Sequence, residues 1–404
     1  MLVGCSFTGL ALLHGLARAR GRFRPGEVTV VEPRPDHTYR PLAHEALGDG
    51  QSLDALRLPL APHLDALGAQ WHAVAATRVD AAQKVVHLAN GLVVPYDRLV
   101  LATGGARDVP AALEGDGRVM PARVVEDALA LRQRLRVLHA TRSGMVRVVV
   151  VGGGLSGVEW GAALACTRIA GARVTVTIVE RAERILPGVH AAPARRVRRV
   201  LGELGVEVLV GRAVRRLDGD RLLLDESIAL PFDVAVWAAG VRPSPLVATL
   251  ALPCAPSGQI SVTPYLDVAT APGMYAAGEA ARIVDERGEP RDVERRADDA
   301  IRQGAYLARR FVEPLPAGLG TPYRAAPAVP CAISLGPRRG IVFYGATSVE
   351  LRMVGPARRL AAAMYLARLQ RAAARAARGG TARGGTARGG TARGADADAP
   401  RAGG

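Results

Sequence analysis

The chain of 404 residues is 49% hydrophobic and carries a formal net charge of +16 at pH 7. No uninterrupted apolar run reaches the roughly 18–20 residues of a membrane-spanning helix, and no charged segment followed by an apolar stretch opens the chain. We therefore expect neither a spanning helix nor a secretory signal. The four cysteines show no short paired spacing, which argues against a zinc-type cluster and a disulfide framework and predicts a cytoplasmic protein without a metal site.

The positive charge is concentrated towards the carboxyl end of the chain. Residues 352–404 contain eleven arginines and two aspartates, and so supply +9 of the total of +16. Only 4% of all residues are aromatic, whereas surfaces that bind single-stranded nucleic acid place aromatic rings among their basic groups. The composition therefore predicts that nucleic acid is not a partner.

The first element in the chain is a short strand followed by a glycine-rich turn, Gly4-Cys5-Ser6-Phe7-Thr8-Gly9, and a β-branched strand then ends at Glu32. The pattern returns at residues 152–157, and Glu180 follows at the same interval. This is the layout of a dinucleotide-binding βαβ unit, in which glycines form the tight turn and admit the pyrophosphate, and the acid accepts hydrogen bonds from the ribose. Two units in register predict two nucleotide sites. The simpler alternative makes Glu32 and Glu180 solvated strand ends.

A second repeated pattern supports a duplication. Pro95-Tyr96-Asp97 leads through an apolar strand to Gly104, and Pro231-Phe232-Asp233 leads through another to Gly240 at the same interval. We therefore predict an α/β fold of two Rossmann-like three-layer domains, the second inserted in the first. The predicted segments are 1–110 and 253–347 for the first domain and 111–252 for the inserted domain.

The carboxyl-terminal part differs in composition from the rest. Residues 348–378 are predicted to form a basic helix, with one apolar face formed by Leu360, Met364, Tyr365 and Leu369. A basic amphipathic helix can lie on an anionic membrane surface, and a helix packed on the core with its arginines in water is the alternative. Residues 379–404 contain a repeat of Gly-Gly-Thr-Ala-Arg and are expected to be disordered.

Together these motifs resemble the two-dinucleotide-domain FAD/NAD(P)H oxidoreductases, and within them most closely the type II NADH dehydrogenases that reduce membrane quinones. The resemblance covers residues 1–347 and implies that the first domain binds FAD and the inserted domain NADH. The implied FAD contacts are Gly4, Ser6, Phe7, Thr8, Gly9, Glu32, Arg40, Pro41, Ala102, Thr103, Gly104, Gly278, Glu279 and Ala297. The implied NADH contacts are Gly152, Gly154, Leu155, Ser156, Gly157, Glu159, Glu180, Ala239 and Gly240.

The resemblance also implies catalytic roles for four residues. Pro41 belongs to a segment that runs beside the isoalloxazine, and Glu159 is expected near the nicotinamide or the flavin edge. Asp298 and Asp299 replace a glutamine pair on the quinone side. For each acid a simpler interpretation stays open: Glu159 stabilises a helix start by its charge, and the two aspartates form a wet helix N-terminus.

Other polar positions near these motifs are open to two interpretations. His44 is a candidate for the flavin pocket but fits an exposed imidazole better, and Trp237 fits a packed aromatic better than a cofactor contact. Glu180 favours NADH, because the 2′-phosphate of NADPH would meet its charge. Arg181 and Arg184 follow closely, however, so NADPH stays possible.

The departures from the family pattern fall at the flavin. Ser6 replaces the usual middle glycine, and its side chain crowds the place where the backbone meets phosphate. Glu279 replaces an aspartate and is longer by one methylene. Carboxylates at Asp298 and Asp299 would lose hydration energy unless they are protonated, paired or wet. The NADH turn is intact, so the sequence supports nucleotide binding better than quinone reduction.

The expected activity is hydride transfer from NADH to FAD, followed by electron transfer to a diffusible acceptor, for which quinone is favoured. A disulfide acceptor is not expected, because the chain has no closely spaced cysteine pair. Two alternatives stay open: a reductase of an electron-carrier protein, and a nucleotide-sensing protein with a degenerate flavin site. A homodimer, and a peripheral position on the cytoplasmic face of the membrane through residues 357–378, are further expectations.

Overall fold

The computed structural model describes residues 1–384 except 20–22, 25, 49–52, 142–144, 168–173, 226–227, 286, 290–295, 313–319 and 326–328. The helices are α1 (Phe7–Arg18), α2 (Ala61–Asp65), α3 (Val125–Thr141), α4 (Leu155–Cys166), α5 (Ala191–Glu203), α6 (Pro245–Ala248), α7 (Ala297–Val312) and α8 (Val354–Gly384). Short 3₁₀ helices span Arg40–Leu47, Leu53–Leu56, Ala111–Leu113 and Gly278–Ala280. Residues 379–384 lie in α8, so the expectation of disorder is wrong for them, and the rest of the expected disordered tail, 385–404, lies outside the described residues.

Two five-stranded parallel sheets of the same design form the framework. In each, the strand before the glycine turn is central, and the strand that leads to the acid lies directly beside it. The first sheet consists, in spatial order, of Met274–Ala276, Leu99–Leu101, Leu2–Val3, Thr29–Val31 and Gln70–His72. The second consists of Val119–Pro121, Val234–Trp237, Val146–Val151, Val174–Glu180 and Val206–Val210. The matching order confirms the predicted fold of two Rossmann-like domains.

Smaller sheets complete the two domains. An antiparallel sheet lies in the same chain position in each, formed by Ala76–Asp80, Val85–Leu88 and Val93–Pro95 in the first and by Val214–Asp218, Arg221–Leu224 and Ile228–Pro231 in the second. A ribbon of Gly105–Arg107 and Val241–Pro243 joins the domains. The other strands are Asp36–Thr38 with Arg57–Pro59, Ile260–Val262 with Ala281–Ile283, and a carboxyl-terminal sheet of Cys331–Ser334, Gly340–Tyr344 and Thr347–Leu351.

Each parallel sheet has its own hydrophobic core, because parallel strands are covered on both faces and are rich in buried valine and leucine. Leu246 and Leu250, in and after α6, pack in the core of the first sheet. Ile333 and Phe343 of the carboxyl-terminal sheet pack in the core of the second. The domain bounds at residues 110, 252 and 347 stay predictions, since side-chain packing distributes these later segments between both cores.

Helix α8 differs from the predicted terminal helix in its start and in its apolar face. It begins at Val354, because residues up to Leu351 form the last strand, so the predicted start at residue 348 is wrong. The predicted single apolar face is also wrong, since Leu360 and Met364 are 62% and 61% exposed. The buried stripe consists of Ala362, Leu366, Leu369 and Ala373. Of these, Ala362 joins the second core, and Leu366 and Leu369 join the first.

Helix α1 carries the first glycine turn, and helix α7 crosses it at close range. A Cβ on Gly304 of α7 would lie 2.2 Å from the carbonyl oxygen of Thr8, and a Cβ on Gly15 would lie 2.2 Å from the Cβ of Ala308. The two glycines thus allow the helix backbones to approach each other, which holds the start of α1 against α7.

We expect the substitution Gly304→Ala to lower the free energy of unfolding by about 1–3 kcal/mol, because the added methyl group must push α7 away from the backbone of α1. Gly202→Ala is the matched control. Gly202 lies near the end of α5, where a Cβ would meet nothing within 4 Å, so alanine there should be neutral or stabilising by up to about 1 kcal/mol. Denaturant titrations followed by circular dichroism measure both; equal stabilities would contradict the close contact.

Candidate nucleotide-binding and redox site

Both glycine turns cross the end of a neighbouring strand at a distance that leaves no room for a side chain. The φ angles of Gly4 and Gly152 are +95° and +105°. A Cβ on Gly4 would lie 2.4 Å from the carbonyl oxygen of Ala102, and a Cβ on Gly152 would lie 2.8 Å from the nitrogen of Ala239. Conformation and space therefore both require glycine at the first position of each turn.

The third glycine of each turn lies beneath the first. A Cβ on Gly9 would lie 2.3 Å from the carbonyl oxygen of Gly4, and a Cβ on Gly157 would lie 1.8 Å from that of Gly152. These contacts bring α1 and α4 against the strand that precedes each turn. The helices begin at Phe7 and Leu155, with Thr8 and Ser156 next, so their first N–H groups are directed to the place where a pyrophosphate is expected.

The two acids have the same contacts in both domains. A carboxylate oxygen of Glu32 accepts the N–H of Cys5 at 2.8 Å, and one of Glu180 accepts the N–H of Gly153 at 2.6 Å. The acids are only 2% and 7% exposed, so the alternative of solvated strand ends is wrong. Each acid fixes the shape of its glycine turn from within and lies at the strand end where the family binds a ribose.

Glu32 has an additional partner, Arg34. The guanidinium donates from Nε to Oε1 at 2.9 Å and from Nη2 to Oε2 at 3.2 Å. Burial by itself raises the pKa of Glu32, but the hydrogen bonds and the charge of Arg34 outweigh it, so the pKa is lowered overall. Glu32 is therefore ionised at neutral pH.

Ser6, the departure from the glycine pattern, adopts a conformation open to any residue. Its φ and ψ are −98° and −143°, and its Oγ lies 3.3 Å from Nδ1 of His37. At the matching position Gly154 has φ −71° and ψ −176°, and a Cβ there would meet nothing within 4 Å. Burial, followed by the charge of Arg40, lowers the pKa of His37 to about 3, so this partner of the serine is neutral.

Buried polar atoms without a partner lie along the carboxyl ends of the first sheet. They are Oγ1 of Thr103, which follows the strand Leu99–Leu101, and Nε2 of His72, the last residue of the edge strand. Nε2 of His37, beside the glycine turn, is also unpaired. Buried polar atoms normally have partners. A nucleotide that lies across these strand ends would supply them, and the residues therefore fit FAD.

The predicted flavin acid, Glu279, contacts the neighbouring backbone and two arginines. Its Oε2 accepts the N–H of Gly105 at 3.1 Å, forms an ion pair with Arg123, and lies 3.8 Å from Nη1 of Arg40. Burial, and then the charge of Arg123, lowers the pKa of Arg40 to about 10, so it keeps its charge at neutral pH. Two guanidiniums face one carboxylate, which leaves this side of the site positive. Gly104 and Gly278 turn with positive φ beside it.

Glu159 lies in a buried polar cluster rather than at a free helix start. Its Oε1 accepts the N–H of Ser334 at 2.9 Å and pairs with the guanidinium of Arg358, which comes from α8. The same guanidinium donates to the carbonyl oxygen of Pro41 at 2.9 Å. Nδ1 of His44 lies 3.8 Å from the other oxygen of Glu159. The structure thus brings the predicted residues Glu159 and Pro41 together through an arginine of the terminal helix.

The same cluster corrects the interpretation of His44. The imidazole is 4% exposed, so the expectation of an exposed side chain is wrong. The 3₁₀ helix that contains it is covered by α3 and by α4, and such cover has no local signature in the sequence. Burial is the largest influence on the pKa of His44 and lowers it, so the ring is neutral at pH 7.

The two aspartates at the start of α7 have different surroundings. The Asp298 side chain is 42% exposed and pairs with Arg296, as a wet helix N-terminus predicts. Asp299 is 8% exposed, so that interpretation is wrong for it. It accepts hydrogen bonds from Tyr323 and, at 2.5 Å, from Gln303, whose own oxygen accepts the N–H of Gly278 at 2.7 Å. Burial raises the pKa of Asp299, although these hydrogen bonds oppose the rise.

The loop after the strand Val234–Trp237 covers the second glycine turn. Trp237 donates from Nε1 to the carbonyl oxygens of Asp108 and Ala239, at 2.9 and 2.7 Å. It is 7% exposed, which confirms the packed interpretation. The hydrogen bonds hold Ala239 over the glycine turn, and Gly240 continues with φ +74°. Ala297, predicted to contact FAD, is the first residue of α7.

Within the part of the chain that the structure describes, no group of three or more His, Cys, Asp or Glu side chains could hold a metal ion. A search of the same residues found no helix that is both long and apolar enough to cross a membrane.

Comparison with known proteins agrees with two nucleotide cradles in one chain. The sequence profile of the pyridine nucleotide-disulphide oxidoreductase family matches residues 1–304. The chain belongs to this family. Demethylphylloquinone reductase NdbB of Synechocystis sp. is 27% identical to this oxidoreductase over 316 residues, covering 76% of this chain and 77% of its own. An NADH dehydrogenase-like protein of Mycobacterium tuberculosis is 31% identical over 303 residues, covering 71% and 74%.

The fold has solved counterparts as well. NDH2 from Plasmodium falciparum, determined in complex with NADH, superposes on this oxidoreductase with a TM-score of 0.77. The alignment covers 88% of this chain and 92% of NDH2, at 15% sequence identity. An identity this low establishes a common fold. The individual contacts of the oxidoreductase with its cofactors stay predictions.

We expect Gly154→Ala to weaken NADH binding at least about tenfold, because the middle position of the turn is where the backbone approaches the pyrophosphate. Stability should stay unchanged, since a Cβ there meets no protein atom within 4 Å. Titration calorimetry with NADH and a thermal melt give the two quantities. Gly188→Ala, at another glycine with open space, is the control; unchanged NADH affinity in Gly154→Ala would contradict a pyrophosphate at this turn.

Proposed function

We propose that this protein is an FAD-containing oxidoreductase that oxidises NADH and reduces a quinone. The observation that carries the proposal is the pair of glycine cradles of the same design, each with its buried acid, in one chain. Family membership and the named activities of the relatives support it. One relative is a demethylphylloquinone reductase, another is a type II NADH:quinone oxidoreductase of Mycobacterium tuberculosis, and NDH2 binds NADH.

The first domain would hold FAD through its turn at Gly4–Gly9, with Glu32 at the ribose. Thr103 supplies an unpaired buried oxygen beside the expected position of the flavin, and the positive side formed by Arg40 and Arg123 favours an electron-rich ligand. When bound, FAD supplies the chemistry of accepting two electrons from NADH and returning them to an acceptor. The contribution of the protein is to orient the nucleotides and to keep the site positive.

The second domain would bind NADH in preference to NADPH. The Glu180 carboxylate is fixed by the N–H groups of Gly153 and Ala182, at 2.6 and 2.8 Å, so it cannot turn away from a 2′-phosphate. Arg184, which could have neutralised that phosphate, donates to the carbonyl oxygens of Leu186 and Pro187. Arg181, the other arginine that follows Glu180, is exposed and is the cation left near this position.

A diffusible acceptor is favoured over a disulfide within the protein. Cys5, the cysteine at the first glycine turn, is 1% exposed. Burial is the largest cause of a raised pKa for this thiol, so it does not form the thiolate that disulfide exchange requires. Quinone, an apolar diffusible acceptor, fits the named activities of the relatives. A homodimer stays an untested prediction.

Contact with a membrane surface would supply such a quinone. Large apolar side chains are exposed along the last strand and the first turns of α8: Val349, Leu351, Met353, Leu360 and Met364. Arginines exposed further along the same helix are Arg368, Arg371 and Arg375. Apolar side chains flanked by cations suit the interface of an anionic bilayer. We therefore propose peripheral binding through this surface, on the cytoplasmic face.

The decisive experiment is anaerobic mixing of the purified protein with NADH. We expect a yellow protein that NADH bleaches. A short-chain quinone should then reoxidise the flavin faster than an iron–sulfur carrier protein does. The flavin absorbance near the visible maximum reports both half-reactions. A colourless protein that still binds NADH would support the nucleotide sensor instead, and reoxidation only by the carrier protein would remove quinone as the acceptor.

We expect the double substitution Leu360→Asp and Met364→Asp to reduce co-sedimentation with phosphatidylglycerol vesicles at least about threefold, because two charges replace the exposed apolar side chains. Val137→Asp is the matched control, since Val137 is an exposed apolar residue on α3, 43% accessible. All three positions are at the surface, so folding should be unaffected. Equal pelleting of all three proteins would contradict the proposed membrane surface.

A further inference from the structure

The guanidinium of Arg358 is carried by the terminal helix into the space between the two halves of the site. Its side chain is 18% exposed, whereas the Arg359 side chain beside it is 36% exposed. Arg371 and Arg375, further along α8, are classed with the exposed residues. Arg358 is therefore mostly withdrawn from water, unlike Arg371 and Arg375, and withdrawal of a cation from water needs a compensating set of acceptors.

The acceptors come from three separate parts of the chain. Nη1 pairs with Glu159 and donates to Oγ of Ser334 at 2.8 Å. Nη2 donates to the carbonyl oxygen of Pro41 at 2.9 Å and lies 3.5 Å from the second oxygen of Glu159. One side chain thus links α4, which starts at the NADH turn, the carboxyl-terminal sheet, and the 3₁₀ helix Arg40–Leu47 that the resemblance places beside the flavin.

A second ion pair links α8 to the 3₁₀ helix Arg40–Leu47. Nη1 of Arg359 lies 3.3 Å from Oε2 of Glu45, which belongs to the same 3₁₀ helix. The start of α8 is therefore attached to the flavin segment at two points, of which only the Arg358 contact also reaches the NADH domain. The planar guanidinium fixes the direction of each hydrogen bond, which an ammonium group on a flexible stem does not.

We propose that Arg358 is a positioning residue that sets the geometry between the NADH turn and the flavin segment, so that the seating of α8 controls hydride transfer. This inference rests on the proposed function. It follows because hydride transfer requires the two rings at near-contact distance, and a displacement of 1 Å can lower a rate by about a hundredfold. The adenosine end of NADH is held at Glu180 and the glycine turn, which Arg358 does not contact. Loss of Arg358 should therefore affect the reaction and spare the affinity.

The test compares Arg358→Gln, Arg358→Lys and the control Arg195→Gln, at an exposed position of α5, in the full-length, flavin-loaded protein. Anaerobic stopped-flow mixing with NADH gives the limiting rate of flavin reduction and the Kd for NADH. For Arg358→Gln we expect the limiting rate to fall at least about tenfold with the Kd changed less than about twofold. Lysine should recover part of the rate, because it restores the charge but not the planar guanidinium, and Arg195→Gln should match the wild type.

Hydrogen exchange supplies a readout that does not depend on activity. In Arg358→Gln we expect the amides of residues 40–47 and of the start of α4 to exchange at least about tenfold faster, since the link between them is lost. An unchanged limiting rate in folded Arg358→Gln would overturn the proposal. A rate and an affinity that fall in parallel would do so too, because that pattern indicates general damage.

The experiment also covers two other outcomes: a variant that does not fold, and a wild-type flavin that NADH does not reduce. If Arg358→Gln does not fold, Ser334→Ala removes one acceptor only, and a fall of about two- to fivefold in the limiting rate with unchanged Kd supports the proposal; an unchanged rate refutes it. If NADH does not reduce the wild-type flavin, the proposed function has failed, and exchange alone decides this inference. Faster exchange in residues 40–47 then supports the link through Arg358, and unchanged exchange overturns it.

Discussion

The close backbone crossing at each glycine turn is the constraint on which the rest of the structure depends. At Gly4 and at Gly152 the chain passes so near the adjacent strand that a Cβ would overlap backbone atoms. This crossing brings a helix start, two strand ends and a buried carboxylate to the same edge of the sheet. Because both domains obey the constraint, the chain has two such edges, and the antiparallel ribbon of residues 105–107 and 241–243 joins the domains that carry them.

Much of this framework could be predicted from the sequence, because the signals are local. Spacing between glycine and acid, β-branched strands such as Val146–Val151, and the repeated Pro-to-Gly interval identify each unit without reference to the rest of the chain. The structure agrees in sheet order and in the matching hydrogen bonds of Glu32 and Glu180. Even the departure at Ser6 is local, and its backbone angles explain why a residue other than glycine is accommodated there.

Contacts between distant segments could not be predicted in this way. Glu159 and Arg358 are 199 residues apart, and nothing in the local pattern of α8 distinguishes the mostly buried Arg358 from the exposed Arg371 and Arg375 of the same helix. His44 and Asp299 were misjudged for the same reason, since their burial depends on elements that cover them from elsewhere in the chain. The spacing of apolar residues predicts a single buried face on α8. The buried residues of this helix instead pack in two separate cores, Ala362 in the second and Leu366 and Leu369 in the first. Polar residues are hardest to place because one buried partner decides whether they are in water.

The order of segments along the chain has a consequence for biosynthesis. The strands of the second parallel sheet lie between residues 119 and 237, so this sheet can pair on the ribosome as soon as they emerge, and Ile333 and Phe343 join its core later. The first parallel sheet cannot pair completely at that stage, because its edge strand Met274–Ala276 and the helix that covers it are translated later. Until then the strand Leu99–Leu101 presents unpaired backbone groups. The amino-terminal sheet therefore keeps an edge open to non-native pairing until its last strand has been translated.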